Sequence, residues 1–443
     1  MKFLLFYNNL SIFIVIVDNI RFMNYLSVTI DKLKSKQNIF LTGGAGVGKT
    51  TITKELIEAF EADAKKVAKL ASTGMAATLI GGQTLHSFFD LGIASSIEEL
   101  EKNGKYEIKK KIKKLIHSID LVVIDEVSMV SDSLFDMIKL RLQQSDFKGS
   151  FLVVGDFLQL PPVVRGSCEV MFAFESQSWK DFDFEVIELT HIYRTDDKRF
   201  IELLHHVRYG FIDESIHNHL NEYIKPIPND LSEFTFLFGK NNSASFHNKE
   251  QLKHIDEEPF MKEAQVIKHL KSVKDTDVER YMGDARIERE LELKVGAPIL
   301  FTRNAWNYFN GERGIVVNQD SNNIYVQKSD GKVVKLEVVA QSKTMWREKT
   351  VDGKKEMSEE NLFTIYQYPI KLAFAITIHK SQGMSIEDLI IETNEIFAPS
   401  QFYVALSRSS NPSRLNLIAP RSQWYELAYV NHKAATFVKG SSC

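Results

Sequence analysis

The chain has 443 residues, 44% hydrophobic and 26% charged, with 55 basic against 58 acidic side chains and a net charge of −3. That length exceeds the ~250–300 residues at which a single core stops growing, so several domains are expected, and the composition excludes a disordered or fibrous chain. The balanced charge excludes a globally basic nucleic-acid binder while leaving room for a local positive groove.

The N-terminus, "MKFLLFYNNLSIFIVIV", joins one Lys to an apolar run, but Asn-Asn breaks it and no small-residue cleavage site follows. It is also too short and interrupted to span a bilayer. Residues 1–23 are therefore expected to be an N-terminal extension, with 1–22 upstream of the natural start or dispensable. No membrane attachment is expected. The two cysteines, Cys168 and Cys443, lack ligand spacing, and neither His205/His206 nor His217/His219 has partners for a zinc site. A reduced, intracellular protein is expected, cytoplasmic (at the nucleoid) if bacterial.

Short β-rich runs then alternate with helical patterns, without an internal repeat, which indicates α/β units on mostly parallel sheets. "NIFLT" (38–42), "KVAKLA" (66–71), "DLVVID" (120–125), "SFLVVGD" (150–156) and "FEVIEL" (184–189) read as the first strand set. Unbroken apolar runs such as "LVVI" suit strands covered on both faces. "SDSLFDMIKLRLQQ" (131–144) reads as a helix capped by Ser131.

"GGAGVGKT" (43–50) lies between a strand and a helix and matches G-x-x-x-x-G-K-[ST]. Such glycines let backbone N–H groups converge on phosphate oxygens at a helix N-terminus. The nucleotide-binding set is Gly43, Gly44, Ala45, Gly46, Val47, Gly48, Lys49, Thr50 and Thr51. Lys49 is expected to reach the β/γ-phosphates and Thr50 to bind Mg²⁺. "LVVIDEVSM" (121–129) ends a buried strand on Asp125, a second Mg²⁺ ligand, and Glu126, which would orient or deprotonate the attacking water. In "VVGDFLQLPPV" (153–163), the Gln159 amide can bond the γ-phosphate or that water, while Asp156 is equally a turn residue.

"STGMAATLIGGQTLHSFFDLG" (72–92) carries small residues and donors, Thr73, Gly74, Thr84 and His86, with Phe88 among them. Small residues permit close approach of a polymer backbone, Thr and His donate to phosphates, and an aromatic stacks a base. A tightly packed helix with a Gly-Gly turn explains the same composition. After Leu189, "DKRFIELLHHVRYG" (197–210) reads as a helix ending at Gly210, "FTFLF" (234–238) as a strand and "NSASFHNKEQLKHI" (242–255) as a helix. Between about 301 and 358 short strand-like pieces surround an "SDGK" turn, a hairpin signal. The α/β pattern is read as returning with "FTIYQYPI" (363–370). "AFAITIHKSQG" (373–383) holds a polar cluster, Thr377, His379, Lys380 and Ser381, that core closure does not need. "PSQFYVALSRSSNPSRL" (399–415) offers Arg408, and "LTHIYRTDD" (189–197) offers Arg194. Either arginine can act as a finger on a γ-phosphate.

The ordered set "GGAGVGKT", "STGMAATLIGGQTLHSFF", "LVVIDEVSMV", "VVGDFLQLPPV", "LTHIYR", "LKVGAPILFTRNAWNYFNGERGIVV" (293–317), "AFAITIHKSQG" and "FYVALSRSS" closely resembles the superfamily 1 helicases of the petite-integration-frequency family, over roughly residues 36–420. The resemblance implies an α/β fold of two RecA-like P-loop domains with parallel sheets and a small SH3-like β insert. It implies ATP in a cleft between the domains, Mg²⁺, and 5′-to-3′ movement on single-stranded DNA toward duplex junctions by a monomer. Lys49, Thr50, Asp125, Glu126 and Gln159 match the first half's motifs, and Arg194 and Arg408 the arginines that reach the γ-phosphate. Thr84, His86, His379 and Lys380 fall in motifs that line the DNA path. The domains so implied are 24–189, then 190–300 with 359–430, the insert at 301–358, and a tail at 431–443. Two departures stand out. Thr195 follows Arg194 where the family has Gln, and the adenine-reading Gln has only Gln37 as counterpart. A switch or loader ATPase and an RNA-directed motor are the competing readings.

Overall fold

The computed structural model describes residues 23–441 except 93, 164–168, 229–230, 232–233, 286, 304, 309–311, 329 and 352–353; the side chains of 74–75, 78, 284 and 346–359 are also outside the described set. The N-terminal stretch 1–22 and both cysteines therefore lie outside the described residues. Among the described residues two compact units emerge, one of residues 23–156 with 169–191, the other of 157–163 with 192–441.

The first unit is built on six parallel strands, β1 (Ile39–Gly43), β2 (Val67–Ala71), β3 (Gln83–Thr84), β4 (Leu121–Asp125), β5 (Ser150–Val154) and β6 (Glu185–Leu189), in the order β3-β2-β4-β5-β1-β6. Every residue of β1, β4 and β5 is buried, as the unbroken apolar runs require for strands covered on both faces. A helix over residues 23–34 packs beside the sheet, where Ser150 Oγ donates to the Leu33 carbonyl. Helix Asp132–Gln144 starts at Ser131, whose Oγ accepts from the Leu134 amide at 3.2 Å. Its apolar face meets an aromatic cluster in which Trp179 lies 5.3 Å from both Phe40 and Phe135. From the same helix, Arg141 is 1% exposed. It donates to the carbonyls of Phe89 (3.1 Å), Tyr106 (2.7 Å) and Lys105, fastening the insertion between β3 and β4 onto the helix.

The second unit carries a smaller parallel sheet, ordered Ala375–Thr377, Thr235–Phe238, Leu389–Ile391 and Leu415–Leu417. Helix Lys198–Arg208 begins at Asp197, whose carboxylate accepts from the Phe200 amide at 3.0 Å. A five-stranded antiparallel sheet runs Val333–Leu336, Ile324–Lys328, Arg313–Gln319, Pro298–Phe301 and Ile370–Leu372, around a core that includes Phe301 stacked on Tyr308 at 4.3 Å. A long hairpin, Val339–Val351 with Lys354–Gln367, pairs with Gln265–Lys268. The segment 363–370 thus belongs to antiparallel pairing, and parallel pairing resumes only at Ala375. Its alternating residues satisfy either arrangement, and contacts distant in sequence decide between them. Among the described residues no helix is long and apolar enough to cross a membrane.

Candidate functional site

In a parallel sheet the open edge for ligands is the one formed by the strands' carboxyl ends. In the first unit β1 delivers Gly43 to that edge and β4 delivers Asp125, with β5 between them. The turn from β1 into helix Lys49–Ala62 needs glycine at Gly43: its φ is 141°, and a Cβ there would sit 2.3 Å from the Leu189 carbonyl oxygen. Gly48, at φ 86°, caps the helix. The helix is held down by Ile52, Leu56, Ile57 and Phe60, all buried, so its N-terminal amides are fixed in direction. Lys49 Nζ donates to the carbonyls of Gly43 (2.7 Å) and Gly44 (2.8 Å), which keeps the ammonium over the loop 43–48. Thr50 and Thr51 follow in the first turn.

Asp125 is 5% exposed. Burial pushes its carboxyl up, while the Glu126 amide, Lys49 and Lys54 pull the other way. Oδ1 accepts from that amide at 2.8 Å. Glu126 itself sits at φ 53°, a strained backbone for a non-glycine residue. Ser72 Oγ secures this turn by donating to the Glu126 carbonyl at 3.1 Å. The Thr50 hydroxyl and Asp125 carboxyl form an oxygen donor set at one sheet edge, which suits Mg²⁺.

The segment 72–92 splits in two. Thr73 Oγ1 accepts from the Ala76 amide at 3.2 Å and starts the short helix Gly74–Leu79. Thr84 precedes helix Leu85–Phe88, which carries His86. Burial pushes the His86 imidazole down, against the Ala94 backbone. Phe88 is a correction to the sequence reading: it is 3% exposed, edge-on to Phe89 at 5.0 Å, and offers no face to a base. A large aromatic in a short helix has the same signature whether it faces core or solvent.

In the second unit, the end of strand Ala375–Thr377 leads into a single 3₁₀ turn, His379–Ser381. Thr377 Oγ1 accepts from the Lys380 amide at 3.3 Å, and Ser381 Oγ donates to the Ile378 carbonyl at 2.7 Å. Ser381 is fully buried, so it shapes the turn and is not open to a strand, a second correction. His379 and Lys380 are half-buried, and the His379 ring lies nearly parallel to Phe397 at 6.3 Å. Gln159 belongs to this unit and is 4% exposed.

The two arginines converge. Arg194 donates from Nε to Ser385 Oγ (2.9 Å) and from Nη1 to the Ser407 carbonyl (2.5 Å), and burial pushes its guanidinium down to about 10. Arg408, 2% exposed, donates from Nη2 to Ser407 Oγ (2.8 Å), from Nε to the Val404 carbonyl (2.9 Å) and from Nη1 to the Ser381 carbonyl (3.3 Å). It is no surface ion pair. Both arginines are tied to Ser407, and Arg408 is also tied to the turn that presents Lys380. Thr195, in place of the family's Gln, accepts from the Asp197 amide at 3.3 Å and is 8% exposed. Sequence reasoning missed Asn241 and Glu288, which join Thr377, His379 and Lys380 around one cavity. No local spacing marks either residue, because helices and strands distant in sequence bring them there.

A family model described as PIF1-like helicase matches residues 24–218. The chain is 38% identical over 420 residues to the ATP-dependent DNA helicase Pif1 of Campylobacter jejuni, covering 91% of this chain and 93% of that protein. It is 34% identical over 406 residues to the namesake from Bdellovibrio bacteriovorus, covering 89% and 87%. The solved structure of Bacteroides Pif1 in complex with ADP-AlF4 aligns with a TM-score of 0.80 at 26% identity, covering 94% of this chain and 96% of that one. Bacteroides Pif1 bound to ssDNA aligns at 0.61, with 26% identity and the same coverage. The α/β fold with two parallel, RecA-like sheets agrees with these structures. On these grounds the chain belongs to the PIF1-like helicase family.

Proposed function

We propose that this chain is an ATP-dependent DNA helicase that moves 5′ to 3′ along single-stranded DNA and parts the duplex at a junction. Its relatives in Campylobacter jejuni and Bdellovibrio bacteriovorus carry the name ATP-dependent DNA helicase. The observation that carries the reading is the attachment of both Arg194 and Arg408 to Ser407, with Arg408 also on the Ser381 carbonyl. Hydrolysis by the loop 43–50 alone needs no such link. A motor needs one, because nucleotide state must reach the residues that hold the strand.

In this reading Gly43 to Thr51 hold ATP, and Lys49 supports the β/γ-phosphates. Thr50 and Asp125 would hold Mg²⁺, which neutralises phosphate charge when bound. Glu126 orients or deprotonates the attacking water, and Gln159 reports the γ-phosphate. Arg194 and Arg408 add positive charge at the γ-phosphate and couple turnover to grip. Thr73, Gly74, Thr84, His86, Thr377, His379 and Lys380 line the strand, mostly through its phosphates, so binding is sequence-tolerant and salt-sensitive. The working boundaries are 24–189 and 190–300 with 359–430 for the RecA-like domains, 301–358 for an SH3-like insert and 431–443 for a tail. One copy acts, inside the cell.

Strand displacement on duplexes with a single-stranded tail at either end, of DNA or RNA, tests this. Displacement of the 5′-tailed DNA duplex is expected. Displacement from 3′ tails reverses the direction, and preference for RNA changes the substrate. ATPase stimulation by single strands without displacement of any duplex leaves a switch or loader ATPase.

A further inference from the structure

The second unit contains a cavity of about 390 Å³ whose walls carry opposed charges. One wall is Thr377, His379 and Lys380. Another is Asn241, the first residue of the 13-residue helix Asn241–Lys253, whose positive end opens there. Imidazole, ammonium and a helix N-terminus together make a seat for an anion, with buried Thr377 bonded to the Lys380 amide behind them. The third wall contradicts that chemistry. It comes from the end of helix Asp275–Ala285 and the residues after it, and it presents Glu288 beside apolar Met282 and Ile287.

Glu288 is held there by its main chain. Its carbonyl accepts from Gln367 Nε2 at 2.9 Å, and strand Glu290–Leu293 begins two residues later, paired with Phe260–Glu263. Glu288 is exposed, yet the protein around its carboxyl still desolvates it and pushes it up. Lys371 and Lys380 pull it down, and His379 shares the cavity. The adjacent Arg289 is engaged by Glu279 at 2.8 Å. A carboxylate sharing the cavity with Lys380 weakens any anion bound there, which is useful only where that anion has to leave repeatedly.

We propose that this cavity seats one phosphodiester of the single strand, and that Glu288 competes with it for Lys380 so that the grip is released at each step. The proposal rests on the helicase reading above and assigns Glu288 as a positioning residue that sets strand release. A phosphate arriving beside Glu288 raises the carboxyl's proton affinity further. Strand binding therefore takes up a proton there and tightens as pH falls. His379 lines the cavity in wild type and variant alike, so Glu288's share is the difference between them.

The test is fluorescence anisotropy of a labelled oligo(dT) with the full chain, at fixed salt, from pH 8 down through the carboxylate range. Glu288→Gln is expected to bind roughly 5- to 20-fold tighter at pH 8, the scale of removing one like charge at a partly screened site. That advantage should shrink as pH falls and the wild-type carboxyl takes up its proton, above its ordinary range because burial pushes it up, and oligo(dT) should dissociate correspondingly more slowly from Glu288→Gln at pH 8. Glu288→Asp, which keeps the charge, should follow the wild-type pH profile. Equal or weaker binding by Glu288→Gln at pH 8, or a pH profile unchanged from wild type, overturns the proposal. So does a neutral-like profile for Glu288→Asp. A wild-type chain that fails to bind oligo(dT) at any pH removes the helicase reading itself, a separate failure from an unresponsive Glu288→Gln.

Discussion

The loop after β1 (43–48) and the loop after strand Ala375–Thr377 (378–383) both follow a parallel strand, yet different parts of the chain shape them. The first is set by backbone: left-handed glycines, a close approach of Gly43 to Leu189, and a single ammonium over two carbonyls. The second is set by side chains, with Thr377 and Ser381 bonded inward and Arg408 reaching from the turn after helix Gln401–Leu406 to the Ser381 carbonyl. A loop fixed by its own backbone performs one task in many proteins. A loop fixed by neighbours can be retuned by changing a neighbour, and Arg408 is such a neighbour.

Breaking each loop at its centre should separate the two designs. Lys49→Ala is expected to cut single-turnover phosphate release by roughly 10³-fold or more, the scale of losing preorganised charge at a transferring phosphoryl group, while oligo(dT) binding persists. Retained turnover would remove Lys49 from the phosphates. Arg408→Ala is expected to lower strand-stimulated turnover by roughly 10²- to 10³-fold with ATP affinity changed by less than about threefold. Unchanged turnover would reduce Arg408 to a brace between Val404 and Ser381. Gly43→Ala sharpens the contrast without touching charge. The clash with Leu189 and the strained φ should cost about 2–3 kcal/mol in denaturant unfolding and weaken nucleotide binding in a filter assay. A neutral result would mean that the sheet edge yields. The smallest effect belongs to Ser131→Ala, which removes a helix cap away from either loop and should cost about 1 kcal/mol in the same unfolding experiment, with turnover unchanged.

Much of the first unit was legible because its signals are local. "LVVI" and "SFLVV" can only be strands covered on both faces, Ser131 caps where a cap was read, and the glycine spacing of 43–48 serves one geometry. The second unit was less so. The segment 363–370 carries a strand pattern, but its antiparallel partners, residues 265–268 and 339–343, lie far off in sequence. The residue types of Phe88 and Ser381 permit contact with a strand, whereas burial is set by neighbours: Phe89 for the one, the Ile378 carbonyl for the other. Arg194 and Arg408 could be nominated singly. That both fasten to Ser407 needed the fold.

The insertion between β3 and β4 begins directly after Thr84 and carries His86 near its start, and Arg141 clamps its Phe89, Lys105 and Tyr106 carbonyls to helix Asp132–Gln144. That helix begins six residues after Glu126. In mechanical terms the guanidinium is a rivet on a load path: a pull on the insertion is delivered along a stiff rod to the turn holding the acidic pair, with no slack loop to absorb it. The stall force of the chain on a tethered strand, compared with that of Arg141→Met, would measure how much tension the rivet transmits.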